Sequence, residues 1–177
     1  MARQADVLAQ VQRMVDEALA DTRRALAGTD TPITCPTRPG CWGCCRGHVD
    51  VHASEVAAIG PLVPPPAWAR VVALVGKLYR VRSEGEFQQL LTTAICPLLD
   101  PGSGTCTVYE ARPLACRAYA VVTPVDDCYP ERVGPRQVAT PAAIFAAVGT
   151  AQAILGGGAR PALQPLPMAL LSWREEQ

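Results

Sequence analysis

Apolar residues recur at helical spacing through the first part of the chain, with Val7, Val11, Met14, Val15, Ala18 and Leu19 on one face among charged neighbours. This pattern predicts an amphipathic helix over residues 3–27, ended by Gly28. Residues 30–47 are rich in Pro and Gly and carry too little apolar surface to hold a shape unaided. From His48 to His52 polar and apolar residues alternate, which predicts a short strand, and Ser54 with Glu55 opens a short helix through Ile59. Pro61, Pro64, Pro65 and Pro66 make a stiff connector, after which Trp68, Val71, Val72, Val75, Leu78 and Tyr79 recur at helical spacing to Arg82.

Beyond Gly85, residues 90–99 and 105–109 read as two strands around the turn signal Pro101-Gly102-Ser103-Gly104. Residues 111–119 read as one or two helical turns and 123–136 as a Pro-rich loop. A helix is expected over 140–155, capped by Thr140, with Pro141 in its first turn and Ile144, Val148, Ala151 and Leu155 on one face. Gly156 to Gly158 stop it, and residues 161–173 read as an irregular apolar tail. The expected fold is a small, mainly helical α+β single domain over 1–177 with a short β-hairpin. Its expected parts are an N-terminal helix (1–30), a cysteine-bearing core (35–128) and a C-terminal helix with the apolar tail (138–177).

A length of 177 residues suits one domain with a sizeable core. Sixteen cations balance sixteen anions, which argues against an electrostatic grip on nucleic acid or acidic lipid. Residues 137–159 carry no charge, but Ala, Gly and Thr dominate them and they contain Pro141, Gln152 and three glycines, so a core helix is expected rather than a membrane span. The first 24 residues show no secretory pattern, which points to a cytoplasmic, reducing setting.

Composition then changes the picture through eight cysteines: Cys35, Cys41, Cys44, Cys45, Cys96, Cys106, Cys116 and Cys128. In a reducing compartment they read as thiolate metal ligands or buried thiols rather than disulfides, which would need an export route. The two-residue gap between Cys41 and Cys44 in a Gly-rich loop lets both sulfurs face one ion. Cys44 and Cys45 are adjacent, so on extended backbone their side chains point apart and serve different ions or different edges of one cluster. Cys96 is expected to end one hairpin strand and Cys106 to begin the other, bringing those sulfurs near each other. Eight thiols fill two four-coordinate sites, or one iron–sulfur cluster with four to spare. His48 and His52, with Asp50 between them, stand beside the cysteine loop and are read as a solvated face, with metal ligation as the alternative.

Two stretches carry a resemblance. Cys41-Trp42-Gly43-Cys44-Cys45-Arg46, followed by Val49, Val51 and residues 55–59, resembles the first signature of the YkgJ-type cysteine-cluster proteins, the CxxCxxCC family described as zinc- or iron-chelating. Cys96-Pro97-Leu98-Leu99-Asp100, then Cys106 to Pro113 and Cys116-Arg117-Ala118-Tyr119, is similar to that family's second signature. Together they cover residues 35–120; five residues separate Cys35 from Cys41, more than the family's usual spacing. The resemblance implies a metal-binding domain stapled by zinc, iron or an iron–sulfur cluster. A related cysteine cluster in the flagellin lysine methylases also allows an iron or iron–sulfur enzyme acting on a peptide or small molecule.

Clustered thiolates leave negative charge on a divalent ion, so Arg112 and Arg117 are candidate donors to the sulfurs, against plain salt bridges to Glu110 or Asp100. Gly156 to Gly158 lack the lysine and preceding strand of a phosphate cradle. No familiar hydrolase, protease or dinucleotide motif is present, so no catalytic residue is assigned. The leading reading is a metal-binding protein, structural or metal-handling, with metal ions as its partners. A weaker one is an interaction module whose tail at 161–173 packs on a protein partner.

Overall fold

The computed structural model describes residues 2–34, 45, 49–122, 140–158 and 162–177. The chain gathers into two compact units, Met1–Arg38 with Leu114–Pro161, and Pro39–Pro113 with Ala162–Gln177.

The first unit is helical. Helix α1 (Ala2–Leu26) buries Leu8, Val11 and Val15 along one stripe, and Gly28, at φ +79°, ends the run in the left-handed conformation that glycine adopts at no steric cost. Its partners are α5 (Leu114–Arg117) and α6 (Ala142–Leu155). Leu114, Ala118, Ile144 and Ala151 are fully or nearly fully buried against the α1 stripe, with Val148 and Leu155 packed alongside. The cap position of α6 falls on Pro141 rather than Thr140: its ψ of 135° is not yet helical, and no side-chain cap bond forms there. No described helix is long and apolar enough to cross a membrane.

The second unit is mixed. Strand β1 (Asp50–Val51) leads into α2 (Ala53–Ile59), a short 3-10 turn (Gly60–Leu62) and α3 (Pro65–Leu78), whose first turn absorbs Pro65 and Pro66. Helix α4 (Glu84–Thr93) takes residues 90–93 of the stretch expected as strand over 90–99. Ser83 explains the difference: its hydroxyl accepts the Glu86 N–H at 3.2 Å, the Glu86 carboxylate accepts the Arg82 N–H at 2.8 Å, and Phe87, Leu90 and Leu91 then follow at helical spacing. The hairpin survives as β2 (Leu99–Asp100) paired antiparallel with β3 (Thr105–Cys106).

The expected irregular tail is ordered structure. Strand β4 (Gln164–Pro165) pairs with β1, and α7 (Leu166–Glu175) begins at once, with Pro167 tolerated in its first turn. Leu166, Ala169 and Leu170 are buried against Val56, Ile59, Val71 and Val75, each large side chain contributing about 1.5–3 kcal/mol. Much of the tail's apolar surface is therefore spent inside its own unit. Trp173 stacks on Trp68, rings 6.3 Å apart and 8° from parallel, with the Arg174 guanidinium 4.8 Å over Trp68.

Candidate metal centre

Part of the cysteine region is built on the hairpin of the second unit. Asp100 builds its turn: the carboxylate accepts the Gly102 and Ser103 N–H groups, each at 3.2 Å, and the Ser103 hydroxyl at 2.6 Å. Gly104, at φ +66°, lets the chain reverse and donates to the Asp100 carbonyl at 2.9 Å. The Ser103 hydroxyl above all, then the Gly102 N–H and the charge of Arg70, hold the Asp100 carboxyl below its ordinary value of 3.8, burial opposing. This turn places Cys106 opposite Leu99, while the N–H and hydroxyl of Thr107 both donate to the Leu98 carbonyl at 2.8 and 2.9 Å.

Cys96 stands three residues before β2, not at the strand end expected from the sequence. Its carbonyl accepts the Leu99 N–H at 3.0 Å, which tightens residues 96–99 into a turn. On the other side, its N–H donates to the Cys45 carbonyl at 2.7 Å, a bond joining the two cysteine signatures across fifty intervening residues. Arg70 of α3 secures the adjoining peptide, its Nε donating to the Pro97 carbonyl at 2.9 Å. Cys45, Cys96 and Cys106 are all half-buried, and Cys96 and Cys106 pack against the apolar cluster of this unit.

Cys116 lies on α5 in the first unit and is also half-buried, as expected for a cysteine on a short helix. In the same unit the N–H of Thr34 donates to the Val121 carbonyl at 2.8 Å, fastening the chain just before Cys35 to the chain just after Tyr119. Cys35, Cys41, Cys44, Cys128 and His48 lie outside the described residues. Among the described residues, no group of three or more His, Cys, Asp or Glu side chains is close enough to hold a metal ion.

The two arginines have defined neighbours. Arg112 lies with its guanidinium 4.1 Å over the Tyr109 ring and donates to the Tyr109 carbonyl at 2.9 Å. Arg117 pairs with Asp16 of α1 at 2.9 Å, a carboxylate distinct from the Glu110 and Asp100 weighed from the sequence. His52 is committed to the backbone as the cap of α2: its Nδ1 stands 3.3 Å from the Ser54 amide nitrogen, which donates to it, and 2.8 Å from the Ser54 hydroxyl. The His52 N–H in turn donates to Glu55 Oε2 at 2.9 Å. The helix thus starts one residue before Ser54, and the Glu three residues past the cap was the sequence signal for it. Nothing in the pattern of α3 singled out Arg70, because its carbonyl partner is chosen by tertiary packing.

A family model described as "Putative zinc- or iron-chelating domain", the CxxCxxCC model, matches residues 34–132, more than half of the chain. No curated protein and no solved structure matches it.

Proposed function

Because the chain belongs to the CxxCxxCC family of zinc- or iron-chelating domains, we propose that it binds zinc or iron through cysteine thiolates of both signatures, for structure, metal handling or both. The observation that carries this reading is the Cys96 to Cys45 main-chain bond, which brings a cysteine of each signature side by side. Sulfur is the donor that suits zinc and iron, and half-burial keeps such thiolates partly away from water. Cys45, Cys96 and Cys106 are the described ligand candidates of the second unit; Cys116 and the four cysteines outside the described residues complete the candidate set. Arg112 and Arg117 supply positive charge in the second signature on this reading. A full set of thiolates makes zinc a structural cross-link, whereas iron adds electron transfer. A reducing, cytoplasmic setting keeps the thiols available.

A second reading, an iron or iron–sulfur enzyme, draws on one observation: Cys96 lines a groove large enough for a small molecule. One experiment addresses both. Elemental analysis of protein purified without oxygen or chelator should find zinc or iron bound, and metal-free protein that takes up neither would refute the proposal. A colourless product with two equivalents of zinc supports closed structural sites; a brown one with iron and acid-labile sulfide supports the second reading.

A further inference from the structure

We propose that the groove between α3, α4 and the β2–β3 hairpin binds a small aliphatic monocarboxylate, with its head group on Lys77. The inference goes beyond the metal reading and does not rest on it. Helix α3 turns Val71, Val75 and Leu78 into the core, while Arg70, Leu74 and Lys77 border the groove. Leu90 of α4, then Ile95, Cys96 and Leu99, form the opposite side. The space is about 680 Å³, within the roughly 300–1,000 Å³ typical of small-molecule sites. Ile95 is 53% exposed, an apolar surface that an aliphatic ligand would cover.

Charge selects the class of occupant. Among the described residues no acidic side chain lines the groove, and the two cations that do, Arg70 and Lys77, stand two turns apart on α3, about 10 Å along the axis. Arg70 is already engaged, by its bond to the Pro97 carbonyl and by the nearby Asp100 carboxylate. Lys77, the only lysine of the chain, is exposed and has no ion pair among the described residues. The groove therefore offers one cation without an ion pair among the described residues, beside walls that are apolar apart from Thr93 and Cys96. That matches a singly charged carboxylate with an aliphatic body better than a phosphate dianion, an amine or a neutral alcohol.

A single lysine makes the test direct. Reductive methylation with carbon-13 formaldehyde keeps the charge and gives Lys77 its own magnetic resonance signal. Titrating octanoate should shift that signal saturably, whereas acetate, octanol, octylamine and inorganic phosphate should bind at least tenfold more weakly. By calorimetry on unlabelled protein, Lys77→Gln should weaken octanoate binding at least tenfold, and Thr93→Trp, which fills the groove from an exposed position, should abolish it. Octanol or phosphate binding as tightly as octanoate, or unchanged affinity in Lys77→Gln, would overturn the proposal. Zinc and iron content measured on the same samples separates failure here from failure of the metal reading.

Discussion

The amide of Cys96 and the carbonyl of Cys45 are joined at 2.7 Å, so a cysteine from the Gly-rich first signature is fixed to one just ahead of the hairpin. A main-chain bond of this kind survives loss of either sulfur. Cys45→Ser and Cys96→Ser are thus expected to keep the helices of the second unit while lowering bound zinc or iron. Circular dichroism beside elemental analysis checks this, and native metal content in both variants would count against thiolate binding.

Metal removal should act regionally. Residues 30–47 have little apolar surface of their own, and structural zinc contributes on the order of 10–16 kcal/mol in small peptides, enough to order such a segment and tighten the cysteine-bearing stretch bound with it. Chelator should therefore speed hydrogen exchange in residues 30–47 and 96–128 before it affects α1, α3, α6 or α7. Uniform protection of those segments after metal loss would contradict the expectation.

His52 separates a capping role from a ligand role. Replacing it by Ala removes the acceptor for the Ser54 N–H, with an expected loss of about 0.5–2 kcal/mol in urea unfolding and no change in metal content. A fall in bound metal without that loss of stability would reassign the histidine as a ligand.

Much of this architecture was legible in the sequence, and the errors have identifiable causes. The stripe of α1, the uncharged α6 with its glycine stop, and the turn at residues 101–104 were visible because local pattern and tertiary demand agree there. Leu90 and Leu91 read as strand by residue type alone, whereas the Ser83 and Glu86 cap, equally present in the sequence, makes them helix. The tail reads as irregular because two prolines look disruptive until one stands before a helix and the other in its first turn. At the candidate site, the cysteines were visible by type and spacing. The Cys45 to Cys96 bond and the Arg70 clamp were not, since main-chain partners fifty-one or twenty-seven residues away leave no local periodicity.

Gly60 and Trp173 provide a packing test. A β-carbon at Gly60 would fall 2.5 Å from Cε3 and Cζ3 of the indole, and the indole is held by its stack on Trp68. Gly60→Ala should cost about 1–3 kcal/mol and alter tryptophan fluorescence. An unshifted spectrum with unchanged unfolding free energy would show that the indole yields freely.

Acid should act on the hairpin through Asp100. Its carboxyl titrates below 3.8 when folded, so its contribution to stability is present above the unfolded value and is lost as pH falls through the lower folded one. A carbon-13 titration of the Asp100 carboxyl should place its midpoint below 3.8, and Asp100→Asn should remove the associated shift of the Gly102 and Ser103 amides. A midpoint at or above 3.8 would rule this out.

The pairing of Asp50 with Pro165 bears on how the molecule is made. During synthesis β1 emerges well over a hundred residues before β4, and the whole of α6 passes between them. Until then Val56, Ile59, Val71 and Val75 lack the surface supplied by Leu166 and Leu170. The nascent polypeptide must carry an uncovered greasy face while it waits. The first unit waits in the same way, its α1 stripe uncovered until Ile144 and Ala151 arrive, so both units close only late in synthesis.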